Sequence, residues 1–493
     1  MLSVFKVKGE AEKVIMEIPK EVQTLANKFT ANGYQLYAVG GAVRDLFIGR
    51  ESHDWDFTTD ATPEQVLQLF PEGFYANTFG TFVLPKKYLL ENISVQKKSD
   101  QKSDYDPEEF EKLTGEVFDI TTMRKESGYT DSRHPTEVVW TNKIEEDLAR
   151  RDFTINAMAI KISSFEFEIS NSNIVDPFNG QKDLQAKVIR AVGDPDKRFN
   201  EDALRLMRAI RFATQLNFSI EENTLSAIKK NASLINNISW ERIRDEIFKI
   251  LAAENPVKGI LLLRETGILQ IILPELERCF GVQQEGPKHD RIYDIGQHSL
   301  SSLEHCPSKD PLVRFAALIH DVGKPDTVNI QEDGNVTFYA HDIAGAKIAK
   351  KIGERFKLSR KEIEKISTLV RYHMFTVTEE QTDSAIRRFI KNVGFENIDD
   401  MIAVRIADRL GGGTETAVSW RMEEFRKRID QVMEKPFSIS DLKVTGTDVM
   451  EITGLKPSRQ VGDILQKLFE KVQEDAEKNN REYLLEEIAK IKI

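Results

Sequence analysis

Two aspartates close together in the chain, Asp54 and Asp56, have the spacing of a metal-binding pair. They lie in the segment HDWDFTT, which we predict to be a β-strand, and residues i and i+2 of a strand point to the same face of its sheet. Mg²⁺ prefers a few hard oxygen ligands and leaves other positions for water and phosphates, so such a pair suits nucleotidyl transfer. A solvated acidic strand end has the same local sequence, and the surrounding residues must decide between the two interpretations.

A glycine turn lies upstream, in the segment VGGAVRDL. Gly40 and Gly41 stand between a predicted strand and a predicted helix, where backbone N–H groups and the positive helix end can cradle a triphosphate. Arg44 could add a side-chain contact. A plain tight turn, followed by a surface pair of Arg44 with Asp45, is the structural alternative.

A second set of chemical groups lies in the middle of the chain, where most of the eight histidines fall between His289 and His373. The ordered set consists of His298, His320, Asp321, His341, His373 and Asp408. This order resembles that of the HD-domain metallophosphohydrolases. The resemblance implies a second divalent metal site, for Mn, Fe, Ni or Mg, that could activate water against a phosphoester. It leaves open whether the centre hydrolyses a substrate or has a structural role.

The elements that position these groups change in type along the chain. Residues 22–32 predict an amphipathic helix, YQLYAVGG and residues 54–58 predict strands, and FDITTMR predicts another strand after a polar insertion near residues 95–116. From about residue 194 the pattern is helical almost to the end. A chain of 493 residues is too long for one core, so we expect several domains.

Composition excludes some classes of protein. With 40% hydrophobic and 30% charged residues and no long apolar run, we expect no membrane span, and without a secretory signal pattern we expect a cytoplasmic protein. The net charge of −11 argues mildly against a nucleic-acid partner. Basic residues nevertheless cluster in one region, at Lys187, Arg190, Lys197, Arg198, Arg205, Arg208 and Arg211.

The long segment VGGAVRDLFIGRESHDWDFTTDATPEQV resembles the signature of the class II nucleotidyltransferases of the polymerase-β superfamily. That family includes bacterial tRNA nucleotidyltransferases and poly(A) polymerases. The resemblance implies that Asp54 and Asp56 bind two catalytic Mg²⁺ ions, and that Asp119 in FDITTMR is a third carboxylate on a neighbouring strand.

Three further segments match motifs of the same family. MRKESGYTDSRHPTEVVW resembles its flexible loop, with recognisable positions at Arg124, Glu126, Tyr129 and Arg133. LARRDFTINAMAI resembles the motif that holds ribose and triphosphate, which implies nucleotide contacts from Arg151, Asp152 and Asn156 besides Gly40, Gly41 and Arg44.

The third segment, RFNEDALRLMRAIRFA, carries the family's base-selecting pattern. Asp202 and Arg205 are three residues apart, and on one helix they would share a face. An acceptor beside a forked donor can mimic the pairing edge of a base and select C or A without a template. An ordinary surface ion pair is the alternative.

The resemblance implies an α+β fold with a small mixed-sheet, polymerase-β-like nucleotidyltransferase head followed by all-helical domains. We expect the head at residues 20–168, a neck for base selection at 169–255, a body with the HD domain at 256–415 and a tRNA-binding tail at 416–493.

The expected activity is addition of CCA to the 3′ end of tRNA from CTP and ATP. CC-adding members typically lack the flexible loop, and Phe79, Gly80 and Thr81 follow the tRNA enzymes rather than the poly(A) polymerases. An A-adding enzyme that acts with a separate CC-adding enzyme remains an alternative. In a further alternative, the HD site provides the principal activity and the head is a degenerate RNA-binding module. The intact Asp54, Asp56, Asp202 and Arg205 argue against that last interpretation.

Overall fold

The computed structural model describes residues 5–6, 14–16, 19–50, 55–76, 80–90, 116–129, 135–162, 167–169, 173–284, 293–332, 336–375, 382–414, 420–434, 439–474 and 476–491. Asp54, Arg133 and most of the predicted polar insertion lie outside these ranges. The contacts of the chain divide it into two units, Met1–Pro274 and Glu275–Ile493.

The first unit contains the main sheet and several strands outside that sheet. The strands of the whole unit are β1 Phe5–Lys6, β2 Val14–Met16, β3 Leu36–Val39, β4 Asp56–Thr59, β5 Phe74–Tyr75, β6 Thr81–Pro85, β7 Val117–Thr122, β8 Arg124–Tyr129, β9 Pro135–Trp140, β10 Ala159–Lys161, β11 Phe167–Ile169, β12 Ile174–Val175, β13 Val188–Ile189 and β14 Ser219–Ile220. Seven of them form a mixed sheet in the order β12-β10-β3-β4-β7-β6-β5. Within it β4 pairs parallel with β7 and antiparallel with β3. Strands β8 and β9 form a separate two-stranded ribbon.

Hydrophobic patterning explains the centre of this unit. β3 is buried along its whole length, as expected for a strand whose residues are apolar without alternation. The buried face of the first helix repeats at helical spacing, at Val22, Leu25, Ala26 and Phe29.

The helices of the first unit are α1 Lys20–Ala31, α2 Gly41–Phe47, α3 Pro63–Leu69, α4 Lys87–Leu90, α5 Ile144–Ala149, α6 Gly180–Ala186, α7 Pro195–Glu201, α8 Leu204–Gln215, α9 Glu222–Asn231, α10 Trp240–Leu251, α11 Pro256–Glu265 and α12 Ile268–Ile272. The expectation that Asp202 and Arg205 lie on one helix is wrong. Asp202 follows the end of α7 in an extended conformation, with φ −141°, and Arg205 lies in α8. Helical spacing alone did not reveal this break.

The second unit is largely helical. Its helices are α13 Pro274–Glu277, which begins at the boundary, α14 Ile295–Glu304, α15 Pro311–Ile319, α16 Lys324–Thr327, α17 His341–Arg355, α18 Arg360–Tyr372, α19 Asp383–Val393, α20 Ile398–Gly411, α21 Trp420–Glu434, α22 Gly446–Thr453, α23 Arg459–Glu474 and α24 Arg481–Ala489. Two short hairpins accompany them, β15 Gln283–Gln284 with β16 Tyr293–Asp294 and β17 Asn329–Ile330 with β18 Val336–Thr337.

The last part of this unit contains two separate hydrophobic cores. Met422, Phe425 and Ile429 of α21 pack in the same core as residues of α19 and α20. A different core begins after Glu434 and includes Leu442 and residues of α22, α23 and α24. The packing therefore places α21 with the preceding helices.

The α+β fold class is confirmed, with a mixed sheet in the first unit and helices through most of the second. Within the ranges that the structure describes, no helix combines the length and the apolar character needed to cross a bilayer.

Two residues at the start of α6, Asp176 and Gly180, make structural contacts. Asp176 accepts hydrogen bonds from the amides of Gly180 and Gln181, at 2.6 and 3.0 Å, which satisfies the first N–H groups of the helix. A β-carbon at Gly180 would lie 2.3 Å from the carbonyl oxygen of Thr154. Glycine is thus required here by a close backbone approach.

We expect Gly180→Ala to destabilise the first unit by about 1–3 kcal/mol, because the added methyl group overpacks a buried site. The nearest atom is a backbone oxygen, which cannot rotate away. Urea unfolding of the purified protein measures the effect. Gly462→Ala is the control, since nothing lies within 4 Å of its β-carbon position. Equal midpoints for the two variants would contradict the prediction.

Candidate catalytic and metal-binding sites

The parallel pairing of β4 with β7 brings two predicted carboxylates together. Asp56 and Asp119 are register partners in this pair, so they point to the same face of the sheet on strands about 4.8 Å apart. Asp119 is exposed and Asp56 is partly exposed, so a substrate can reach both. Asp54, the other member of the predicted pair, lies outside the described residues.

The glycine turn lies directly against this pair. Gly40 has φ +72°, and a β-carbon there would be 3.2 Å from Oδ2 of Asp56 and 3.3 Å from Nη1 of Arg151. Gly41 is the first residue of α2. A carboxylate, a guanidinium and an open backbone turn therefore meet at one point, which is the arrangement that a metal-bound phosphate requires.

A chain of hydrogen bonds connects the predicted nucleotide-binding residues. Nη1 of Arg44 donates to Oδ1 of Asn156 at 2.9 Å, and Nδ2 of Asn156 donates to Oδ1 of Asp152 at 3.3 Å. Arg208 donates to Oδ2 of Asp152 from two nitrogens, at 2.8 and 2.6 Å. Arg44 also pairs with Asp45 at 2.8 Å. The surface pair expected as the structural alternative is therefore present together with the hydrogen bond from Arg44 to Asn156.

The charge of Asp152 depends on Arg208. Burial by itself would raise the pKa of this carboxyl group, but the charge and hydrogen bonds of Arg208 outweigh burial and lower the pKa from 3.8 to about 2. Asp152 is therefore a buried anion at neutral pH.

Positive charge is concentrated around one aromatic ring of α8. The guanidinium carbons of Arg44, Arg208 and Arg211 lie 5.4, 5.2 and 4.3 Å from the ring centroid of Phe212. Burial lowers the pKa of Arg211 to about 10, which still leaves it charged at neutral pH. Each of the three also pairs with a carboxylate, Arg44 with Asp45, Arg208 with Asp152 and Arg211 with Glu246, so the cluster is a network of ion pairs around the ring.

The two predicted base-selecting residues have different partners. Asp202 accepts a hydrogen bond from the amide of Leu204 at 3.1 Å and lies 3.4 Å from Arg242. Arg205 pairs with Glu201 at 2.9 Å. The predicted surface pair of Asp202 with Arg205 is not among the ion pairs of the described residues.

Arg205 is also held by the backbone of two other segments. It donates to the carbonyl oxygen of Arg198 at 3.2 Å and to that of Arg150 at 2.9 Å. Only 9% of Arg205 is exposed. The orientation of its guanidinium is therefore determined by residues that the sequence motif does not contain.

The ribbon carries three of the four predicted loop residues. Oε1 of Glu126 accepts hydrogen bonds from Nε of Arg124 at 2.6 Å and Nη1 of Arg150 at 3.2 Å. Tyr129 is the last residue of β8, and only its backbone is described. Arg133 lies outside the described residues.

Sequence reasoning missed Asp147, which organises the same region. This fully buried carboxylate lies 2.8 Å from Nη2 of Arg150 and 3.4 Å from Nη2 of Arg151, and it accepts a hydrogen bond from the amide of Arg124 at 3.3 Å. Burial opposes its ionisation, but the two arginines keep the pKa of Asp147 below its ordinary value. An acid three and four residues before two arginines, a spacing that on a helix brings such side chains together, was the available signal.

In the second unit the predicted metal ligands converge on one buried cluster. The cluster comprises His298, His320, Asp321, His341, His373 and Asp408. They come from α14, the end of α15, the start of α17, the end of α18, and α20. Positions more than 100 residues apart in sequence thus form one site.

The ligands form two groups that share Asp321. In the first, Nε2 of His298 lies 3.1 Å from Nε2 of His320, 3.4 Å from Oδ2 of Asp321 and 3.2 Å from Oδ1 of Asp408. In the second, Oδ1 of Asp321 lies 3.5 Å from Nε2 of His341 and 3.7 Å from Nε2 of His373. Each group has the spacing of ligands around one ion.

Two further observations fit a metal. The Nδ1 atoms of His320, His341 and His373 lie 2.7–2.8 Å from backbone carbonyl oxygens three residues earlier. Nδ1 is then the protonated nitrogen, and the Nε2 lone pair points into the cluster. Oδ1 of Asp321 is buried and has no hydrogen-bond partner in the described part of the chain, which is the state of a ligand atom.

Comparison with family models agrees with both sites. A model described as the poly A polymerase head domain matches residues 36–190. A model for a probable RNA- and SrmB-binding site of polymerase A matches residues 217–280, and the HD domain model matches residues 294–412. The resemblances predicted from sequence are confirmed. Both kinds of domain imply use of divalent metal ions.

Two bacterial proteins are similar over most of the chain. The CCA-adding enzyme of Ligilactobacillus salivarius is 30% identical over 97% of this chain and 98% of that protein. The A-adding tRNA nucleotidyltransferase of Deinococcus radiodurans is 33% identical over 66% of this chain and 75% of that protein. Higher identity is confined to part of the length: the 44% match to the CCA-adding enzyme of Lactobacillus helveticus spans 46% of that protein.

A solved structure shares the architecture. The CCA-adding enzyme of Bacillus stearothermophilus, in complex with CTP, aligns with a TM-score of 0.65 and 25% identity over 96% of this chain and 97% of that one. The polymerase-β-like head followed by helical domains is thereby confirmed.

We expect Arg208→Ala to lower the stability of the first unit by about 2 kcal/mol or more at pH 7, because it leaves Asp152 as a buried charge without its main partner. Asp152 has a folded-state pKa below its unfolded value, so its contribution is full above about pH 4 and is lost as the pH falls toward 2. Urea unfolding of wild type and variant at pH 7 and pH 3 measures this. A stability difference that stays constant between the two pH values would refute the linkage to Asp152.

Proposed function

Because the chain belongs to the family of CCA-adding enzymes, we propose that it adds CCA to the 3′ end of tRNA from CTP and ATP without a nucleic-acid template. The 3′-hydroxyl oxygen of the tRNA attacks the α-phosphorus of the nucleotide, a new phosphodiester bond forms, and pyrophosphate leaves. The observation that carries the proposal is the register of Asp56 with Asp119 beside the Gly40 turn.

The head provides the catalytic residues in this proposal. Asp54, Asp56 and Asp119 would hold two Mg²⁺ ions, which supply Lewis-acid activation of the 3′-hydroxyl group and charge neutralisation on the phosphates. Arg151 lies against the same turn as Asp56, where its charge can hold the triphosphate. Gly40 and Gly41 have no side chains, which lets the backbone approach the triphosphate closely.

Asp152 and Asn156 are proposed to position the ribose and phosphates. Their hydrogen bonds to each other and to Arg208 and Arg44 hold these side chains in place before the nucleotide arrives. Such preorganisation reduces the loss of side-chain freedom on binding.

Asp202 and Arg205 are proposed to select the base. Asp202 retains partial exposure, and Arg205 is oriented by Glu201 and two carbonyl groups. A base that pairs with Arg205 must compete with Glu201 for the guanidinium. This competition is a physical means of discriminating between bases by hydrogen-bond geometry.

We assign residues 20–168 to the catalytic head, 169–255 to the neck and the segment from 256 to the body with the HD domain. The tail was expected from residue 416, but α21 packs in the core of the preceding helices, so we place the start of the tail after Glu434. The tail is proposed to bind the body of tRNA, and the enzyme is proposed to act in the cytoplasm.

Addition of A alone is the closest alternative. The described ribbon residues are compatible with either activity, and two relatives that match nearly the whole chain are CCA-adding enzymes. Complete CCA addition is therefore the proposal that we favour.

Transcripts ending at the discriminator base, at C and at CC, incubated with Mg²⁺, CTP and ATP, test the activity. We expect all three to reach a CCA end. Asp56→Asn and Asp119→Asn should each reduce incorporation at least about a hundredfold, because a metal-ligand charge is lost while the side-chain shape is kept.

Asp245→Asn is the control for these variants, because Asp245 is an exposed carboxylate on α10 that pairs with Arg244. Extension of only the CC-ended transcript, by a single A, would replace the proposal with the A-adding alternative. Full incorporation by Asp56→Asn would sink the metal assignment.

A second candidate function belongs to the HD centre. We propose that it binds two divalent ions, drawn from Mn, Fe, Ni or Mg, and that it hydrolyses a phosphoester. The two ligand groups that share Asp321 support this proposal, with Oδ2 facing one group and Oδ1 facing the other. Asp321 is the residue that would hold both ions.

We expect His373→Ala to bind one Mn²⁺ fewer than the unaltered chain, because it removes a ligand of one group and leaves the other intact. Equilibrium dialysis with metal analysis counts the bound ions in both proteins. His305→Ala, at an exposed histidine outside the cluster, should leave the count unchanged. An unchanged count in His373→Ala, or loss of both ions, would contradict two sites.

A further inference from the structure

Trp140, the last residue of β9, packs against a glycine of the central sheet. Gly80 immediately precedes β6 and has φ +82°, a conformation that residues with side chains rarely adopt. A β-carbon at Gly80 would lie 2.6 Å from Cη2 of Trp140 and 3.0 Å from Cζ3. The indole therefore occupies the space that a side chain at Gly80 would take.

This contact is in a well-paired part of the sheet. The carbonyl oxygen of Gly80 accepts a hydrogen bond from the amide of Thr122, the last residue of β7, at 3.3 Å. Trp140 itself is 38% exposed. The indole thus attaches the ribbon to the catalytic sheet from the outside rather than filling the interior of a core.

The opposite strand of the ribbon is attached to a different element. Arg124 is the cross-strand partner of Trp140, and its amide donates to buried Asp147. Glu126, two residues further along β8, accepts from Arg150. The base of the ribbon is therefore held on one strand by packing against Gly80, and on the other by a backbone hydrogen bond and an ion pair with the end of α5.

These contacts are connected to the catalytic carboxylates through Arg151. Asp147 also contacts Arg151, whose Nη1 lies against the Gly40 turn together with Oδ2 of Asp56. A shift of the ribbon changes the position of Arg150 on Asp147, and the same carboxylate positions Arg151. The Trp140 contact is thus connected to the triphosphate site through side chains that touch one another.

We propose that Trp140 is a positioning residue for nucleotidyl transfer and that it acts by packing against Gly80. The indole holds the ribbon so that Glu126 and Asp147 keep Arg151 beside Asp56, where it binds the triphosphate. The inference rests on the proposed transfer activity. It makes a specific statement about substrate: CTP and ATP share the triphosphate, so both depend on Trp140 to the same degree.

Steady-state kinetics of the full-length enzyme test this, with a transcript ending at C for CTP and one ending at CC for ATP. We expect Trp140→Ala to raise the KM of CTP and ATP alike by about tenfold, since small displacements of a positioning group cost this much or more. The KM for tRNA should stay within about twofold, because the contact acts on the triphosphate. Trp140→Phe keeps an aromatic ring over Gly80 and should restore most of the affinity.

Two further variants separate positioning from a loss of folding. Gly80→Ala should displace the indole and raise both nucleotide KM values, and the double variant Gly80→Ala/Trp140→Ala should be no worse than the more affected single variant. Val139→Ala is the matched control, because Val139 is on the same strand and 49% exposed. It should behave as wild type.

The outcomes distinguish this inference from the proposed function. If the unaltered enzyme extends no transcript, the proposed activity is wrong. If it extends them and Trp140→Ala lowers only the melting temperature, with unchanged KM for CTP and ATP, Trp140 is merely structural. A rise confined to one of the two nucleotides would also overturn the inference, because a route through the triphosphate cannot discriminate between bases.

Discussion

The parallel pairing of β4 with β7 is the constraint on which the head depends. It puts Asp56 opposite Asp119, although the residues between them include a polar insertion. Parallel neighbours present register partners to the same face, so a slip of one residue would turn one carboxylate to the other side of the sheet. β3 borders β4 on the other edge and delivers the Gly40 turn to the same point. One strand order thus brings the two carboxylates and the glycine turn together.

Buried carboxylates organise the arginines around that site. Asp147 and Asp152 are each removed from water, and each stays ionised because guanidinium groups surround it. A buried charge is costly unless it is paired, so these pairs have few alternative arrangements. The arginines that remain near the turn are therefore oriented before any nucleotide binds. In a chain with net charge −11, arginines are thus held close to the Gly40 turn by ion pairs with buried carboxylates.

In the second unit, backbone hydrogen bonds orient the histidines of the HD centre. Backbone carbonyl oxygens three residues earlier hold the Nδ1 atoms of His320, His341 and His373. These backbone contacts therefore determine both the tautomer and the direction of Nε2 in each of the three rings. Asp321 can face two ligand groups because its two oxygens point to different histidines. The chain thus has two candidate metal-binding arrangements with different ligand chemistry: carboxylate oxygens in the head and mostly imidazole in the HD centre.

The sequence by itself determined the kinds of groups, their order and the elements that carry them. The apolar strand before Gly40, the carboxylate at Asp56 and the ordered histidines were all readable, because local periodicity and motif spacing depend on neighbouring residues. It did not reveal that Asp202 lies in a break between two helices, that Arg205 is held by Glu201 and two carbonyl groups, or that Asp147 joins the ribbon to Arg150 and Arg151. These contacts join segments that are distant in sequence or depend on a local turn. Only the packing of helices on the sheet decides which partners they meet, since side-chain spacing specifies a face and not the residue that it will face.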